Sequence, residues 1–161
     1  MSTTQKRKND KKHISMELFE VKVKYDKIVE NGLIKKIPEQ YVVDALSFTE
    51  AEERITKEVA VYSSGEFEVT DIKKARITEV IESEDAAADK WYKARVAFII
   101  IDDKTEKEKR AVQTMLVQGT SVNAALASLE KTLSTGMGDW VVAGITETQI
   151  MDVIRYKAPQ Q

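Results

Sequence analysis

The sequence predicts an α+β domain of two tandem ββαβ repeats related by a pseudo-twofold, with antiparallel sheet and one helix per repeat. The first observation behind this is internal similarity. Leu18 to Ile81 and Trp91 to Ile154 align at an offset of 73 or 74 residues. Gly65, Phe67, Val69, Ile72, Ile77 and Ile81 lie over Gly138, Trp140, Val142, Ile145, Ile150 and Ile154. The second is periodicity: each copy opens with runs alternating at period two and then changes to a helical apolar stripe. The third is size. An isolated unit of roughly 64 residues buries too little apolar surface to be secure, so the copies should share one body, by extending one sheet or by packing sheet on sheet. The expected boundaries are a flexible basic arm at 1–16 and one domain at 17–157, with repeat one at 17–82 and repeat two at 90–157.

In the first repeat, Leu18 to Val29 reads as a strand, with Phe19, Val21, Val23 and Tyr25 on one face and Glu20, Lys22 and Lys24 on the other. Asn31-Gly32 is a hairpin turn signal, because both residues tolerate positive φ. The return strand runs from Leu33 to Leu46, and Pro38, lacking an N–H, places an edge or a bulge there. Ser47-Phe48-Thr49-Glu50 has the capping-box pattern and opens a helix to about Val61, with Phe48, Ala51, Ile55 and Val59 as its buried stripe. Ser63-Ser64-Gly65 stops it. A third strand spans Glu66 to Ile81, and its alternation slips near Asp71-Ile72, which predicts a β-bulge.

Glu82 to Lys90 is the linker. The second repeat follows the same order. Trp91 to Ile101 is a strand, Asp102 to Glu108 a charged turn, and Lys109 to Gln118 the return strand. The helix spans Ser121 to Ser134, with Val122, Ala125, Leu126, Leu129 and Leu133 inward. Thr135-Gly136-Met137-Gly138 stops it, and Asp139 to Tyr156 is the last strand, slipping at Gly144-Ile145.

Composition removes several function classes. The chain of 161 residues has no cysteine, so disulfides, thiolate zinc sites and cysteine nucleophiles are excluded. No apolar run approaches the ~20 residues of a membrane span, and no signal peptide is expected, which points to a cytoplasmic protein without membrane contact. The single histidine, His13, lies in the arm, where a flexible base cannot be held to catalytic tolerance. Lys6, Arg7, Lys8, Lys11 and Lys12 against Asp10 give the arm a charge of +4, so with a net charge of −2 the body carries −6. A basic arm on an acidic body fits nucleic-acid contact, although a solvated terminus is the default reading of a short polar chain end.

Four further patterns bear on chemistry. Asp102-Asp103 would offer oxygens to Mg²⁺, but Asp in a hairpin turn is explained by local backbone bonding. Gly136-Met137-Gly138 lacks the Lys-Ser/Thr and the following helix of a phosphate loop, so it reads as a helix stop. Phe19, Tyr25, Trp91, Tyr92 and Phe98, with Lys22, Lys24, Lys93 and Arg95, can be read as a platform on which bases stack over a basic rim, or as core packing. Trp91 and Tyr92 are adjacent and point to opposite faces, so one of them is expected to be exposed. Lys73-Lys74 with Arg76 reads as a solvated face.

From Leu18 onward the chain resembles a family of unknown function found in Bacteroidetes and their phages, including crAss-like phages. The resemblance rests on Phe19-Glu20-Val21-Lys22-Val23-Lys24-Tyr25-Asp26-Lys27, Val43-Asp44-Ala45-Leu46-Ser47-Phe48-Thr49-Glu50-Ala51-Glu52, Ser64-Gly65-Glu66-Phe67-Glu68-Val69-Thr70-Asp71-Ile72-Lys73, Trp91-Tyr92-Lys93-Ala94 and Thr146-Glu147-Thr148-Gln149-Ile150-Met151-Asp152-Val153. It leaves the basic arm outside. It implies no activity, only a phage or mobile-element setting, with the host cytoplasm as location if phage-encoded.

The leading expectation is a small non-enzymatic binding protein that contacts single-stranded DNA or RNA in phage replication. The expected contacts are Lys6, Arg7, Lys8, Lys11, Lys12, Lys22, Lys24, Tyr92, Lys93 and Arg95, with no cofactor and no metal. The alternative is a protein-interaction or small-molecule-sequestering module acting on a host partner, with homo-oligomers compatible with either. A carboxylate enzyme using a divalent ion ranks third, because no positioned base, nucleophile or ligand cluster is visible.

Overall fold

The structure is a computed structural model and describes residues 16–156. His13 and the arm lysines and arginine lie outside the described residues. Two hairpins of twelve-residue strands frame the molecule: β1 (Glu17–Ile28) with β2 (Ile34–Ala45), and β5 (Lys90–Ile101) with β6 (Glu108–Gly119). Helices α1 (Phe48–Ala60) and α2 (Val122–Ser134) follow their hairpins directly. The remaining strands are β3 (Phe67–Lys74), β4 (Glu79–Ile81), β7 (Asp139–Glu147) and β8 (Ile150–Ile154). They form two four-stranded sheets, ordered β3-β1-β2-β8 and β4-β6-β5-β7, so the fold is α+β.

Local chemistry accounts for most element ends. Ser47 Oγ accepts from the Glu50 N–H at 3.2 Å and Ser121 Oγ from the Ala124 N–H at 3.1 Å, satisfying helix donors that have no intrahelical partner. The Glu50 carboxylate accepts in turn from the Leu46 N–H, at 3.1 Å. In the first hairpin only Gly32 uses positive φ, at +73°, and Val29 closes a three-residue loop with Leu33 rather than a two-residue turn at Asn31-Gly32. Asp102 accepts from the Lys104 N–H at 2.9 Å, the turn role expected of it. Gly138, at φ +99°, ends the second helix stop. Pro38 sits where β2 has a single neighbour, since β8 pairs with β2 only from Gln40 onward. The bulges fall where the alternation slips: Thr70 is skipped in the β1–β3 register and Ala143 in the β5–β7 register.

The third strands differ from expectation. The run Glu66–Ile81 is not one strand. It stops at Lys74, leaves its sheet, and resumes as β4, which pairs parallel to β6 of the other half. The run Asp139–Tyr156 does the reciprocal thing: after Glu147 it crosses and resumes as β8, parallel to β2. The crossing points are pinned, Thr78 N to Thr114 O at 2.9 Å and Thr148 N to Trp91 O at 2.9 Å. Burial explains the exchange. Ile150 and Val153 pack with Val42, Trp91 and Leu116 in a layer between the sheets, flanked by Leu18, Ile77 and Val80. A strand that continued along its own sheet would take these apolar groups away from that layer.

The layers run helix, sheet, sheet, helix. Ala51, Ile55 and Val59 of α1 cover Val21, Val23 and Val43, and Ala125, Leu129 and Leu133 of α2 cover Val96 and Val117. Both sheets are thus apolar on two faces in their central part. That corrects the expectation for the aromatic pair: Trp91 and Tyr92 are each 3 % exposed, Trp91 between the sheets and Tyr92 under α2. Phe48 and Val122, expected inside, are exposed at the helix starts, Phe48 edge-on to Phe19 at 5.0 Å.

Glu20 is the one charged residue buried among the described residues, 6 % exposed. Its carboxylate is bonded to Lys93, 73 positions along the chain, and paired with Lys73 at 3.3 Å. Burial alone would raise its pKa, but the two lysines outweigh that and hold it below the usual carboxylate range. A second pair at the same spacing, Arg155 with Glu82 at 3.0 Å, ties the exchanged ends together. The flanking pairs have swapped signs: Lys74 meets Glu17 at 3.2 Å in the first half, Lys90 meets Glu147 at 3.6 Å in the second. Glu20 with Lys93 and Glu82 with Arg155, the two pairs 73 positions apart, each join opposite charges across the halves.

Lys93→Met leaves the buried Glu20 carboxylate with Lys73 alone and should cost about 1–3 kcal/mol, read by chemical denaturation. The double variant Glu20→Met/Lys93→Met removes both charges and should lie within about 1 kcal/mol of wild type. Because the folded pKa of Glu20 is lowered, its stabilisation is present above the ordinary carboxylate range and is lost as pH falls through the folded value. The double variant should therefore lose less stability on acidification than wild type.

Candidate functional site

On the helix-covered face of the first sheet, β2 carries Ile37, Glu39 and Tyr41 at period two. Val23 of β1 lies opposite Glu39, Val21 opposite Tyr41, and Tyr25 opposite Ile37. This register places two phenols on either side of one carboxylate. Tyr25 Oη donates to Glu39 Oε1 at 2.7 Å and Tyr41 Oη donates to Glu39 Oε2 at 2.5 Å. Both rings are buried, so the phenols sit in the core while their hydroxyls reach its open end. Burial and then the Glu39 carboxylate push Tyr25 up to about 12, and the same causes push Tyr41 up further. Both are therefore neutral hydrogen-bond donors at any physiological pH.

The cluster opens into a cleft of about 370 Å³. Lys27 of β1, Glu58 and Val59 at the end of α1, and Tyr62 beyond it form one side. Met151, Asp152 and Ile154 of β8 form the other. The exchanged strand is thus a wall of the site, and the first half alone cannot build it. Glu39, Glu58 and Asp152 face Lys27, so carboxylates exceed cations three to one. The second half has no such site: Phe98, Gln113 and Met115 stand at the positions of Tyr25, Glu39 and Tyr41. Glu39 was legible in principle, as a lone carboxylate between Ile37 and Tyr41 on an inward-facing stripe.

The expected nucleic-acid contacts are dispersed in character. Lys22, Lys24 and Arg95 are exposed. Lys22 and Lys24 line a second cleft of about 410 Å³ with Gln40, Thr70 and Met151. Arg95 lies over Gly144 of β7, where an added Cβ would be 3.8 Å from its Nε. Lys93 is committed to Glu20. Tyr92 is a correction: buried under α2, it has no ring face to offer a base. The same holds for Phe19, Tyr25 and Trp91, so the aromatic platform is core. Lys73 and Lys74 are exposed and bridge to Glu20 and Glu17.

Among the described residues no group of three or more His, Cys, Asp or Glu is arranged to hold a metal ion. No helix of the described residues is long and apolar enough to cross a membrane. Comparison with curated proteins and with solved structures gives no match. The family described as Domain of unknown function (DUF4494) matches residues 17–156, and the chain belongs to that family.

Proposed function

We propose that the domain is a binding module and that the Glu39 cleft captures a cationic group, a guanidinium or an ammonium. The observation that carries this is the Glu39 carboxylate, fixed from both sides by neutral phenols in a cleft with excess negative charge. Each carboxylate oxygen keeps a free lone pair after accepting from a tyrosine, and a charge-assisted bond to a cation uses it. The exposed ring of Tyr62 supplies a face for the same cation. The cleft volume suits a single side chain or a small polyamine. In the phage setting implied by the resemblance, the cation would be carried by a host protein or a host metabolite in the cytoplasm.

Isothermal titration with an arginine-rich peptide, and separately with spermidine, tests this. Glu39→Gln should weaken binding about tenfold or more, the loss of one charge-assisted bond of roughly 1.5–3 kcal/mol. Lys27→Ala should strengthen it. No binding of either probe at millimolar concentration, or equal binding by the Gln variant, contradicts the assignment. The guanidinium of the arginine-rich peptide stays charged in this range, so its affinity should hold from about pH 7 to about pH 10, where Tyr25 and Tyr41 remain neutral donors.

A second reading, binding of single-stranded DNA or RNA, is supported by exposed Lys22 and Lys24 at the second cleft and by exposed Arg95 on the other sheet. The acidic body opposes it. Titration of labelled single strands at low salt, with and without residues 1–16, tests it. Lys22→Glu/Lys24→Glu should abolish binding, and no binding at micromolar protein would end the reading.

A further inference from the structure

The two sheets have four edges, and one of them is unlike the rest. β3 carries Glu68 and Asp71, β4 carries Glu79, and β8 carries Asp152. Inward or edge charges of this kind keep an unpaired strand from templating another. β7 is the longest edge at nine residues, and its stretch Trp140-Val141-Val142-Ala143-Gly144-Ile145 has no charge at all. The contrast is position by position. Glu68, Asp71 and Lys73 of β3 correspond to Val141, Gly144 and Thr146 of β7. Val141 is 40 % exposed. Further exposed apolar groups lie past the start of β7, at Met137, 102 % exposed, and at Ile100 and Ile101, which follow Ile99, the last residue of β5 that pairs with β7.

We propose that β7 is a dimerisation edge, at which β7 of a second copy pairs antiparallel to form a continuous eight-stranded sheet. Self-pairing about a twofold sets identical segments opposite one another, which like charges forbid. β7 is the longest of the four edges and the one with an uncharged run, Trp140 to Ile145, on which a dyad can fall. With the twofold near Val141, Trp140 faces the partner's Val142 and Asp139 faces the partner's Ala143, so no charge meets its like. The dyad lies two residues from the bulged Ala143, so the uninterrupted stretch runs from Trp140 to Val142 on each strand. This surface is separate from the Glu39 cleft, and the two assignments stand or fall independently.

Sedimentation velocity of the full chain should show a dimer that forms across about 1–100 µM, the range in which a micromolar Kd is read. Val141→Lys places two lysines at the dyad and should leave a monomer with unchanged circular dichroism. Glu68→Lys, at the corresponding place on β3, should leave the dimer intact. A wild-type chain that stays monomeric, or a Val141→Lys chain as dimeric as wild type, overturns the proposal. Should Val141→Lys fail to fold, hydrogen exchange of the wild-type chain decides. Protection of the Trp140–Val142 amides that rises with protein concentration supports the β7 edge, and protection independent of concentration overturns it.

Discussion

The layer between the sheets carries the rest of the structure. Val42, Trp91, Leu116, Ile150 and Val153 come from both halves, and none of them is buried unless the sheets meet face to face. The two short exchanged strands secure that meeting. β4 completes the edge of the second sheet and β8 the edge of the first, so each half supplies a strand that the other lacks. Hydrophobic burial of this kind has no direction of its own. Direction comes from the parallel pairings at the exchanged strands and from the Glu20–Lys93 and Glu82–Arg155 pairs that cross between the halves.

The shared architecture makes the differences between the halves informative. Tyr25, Glu39 and Tyr41 form a polar cluster at the open end of the first core, whereas Phe98, Gln113 and Met115 stand there in the second. A half-buried carboxylate with phenolic partners costs more to desolvate and adds less to stability than an apolar filling would. The second half has the more apolar arrangement, so the first half's polar cluster is the one that calls for a functional account. The difference at the edges runs the other way. β3 has the charges that blunt an edge, and β7 lacks them. One half thus holds the cleft and the other the uncharged edge.

Much of the fold was legible because it is written locally. The hairpins follow from alternation, the helix starts from Ser47 and Ser121, and the bulges from shared slips at Asp71-Ile72 and Gly144-Ile145. The strand exchange was not legible. β4 has three residues, and its partner β6 lies more than thirty positions away, so no local pattern marks the pairing. The burial of both Trp91 and Tyr92 was hidden for the same reason, since a strand covered on two faces looks alternating only at its ends. Glu20 shares its stripe with the exposed Lys22 and Lys24, yet it alone falls where the sheets are in contact. The candidate site was missed because Glu39 acquires meaning only from Tyr25 across the hairpin and from the wall that β8 provides.

If each half completes the other, neither can unfold by itself. The two tryptophans, Trp91 and Trp140, both belong to the second half, whereas far-ultraviolet circular dichroism reports on both. Equilibrium denaturation followed by the two signals is therefore the most direct test. Superimposable transitions with one midpoint are the predicted result. Fluorescence and dichroism curves with separate midpoints would mean that one half holds its structure after the other has melted, and would contradict the account.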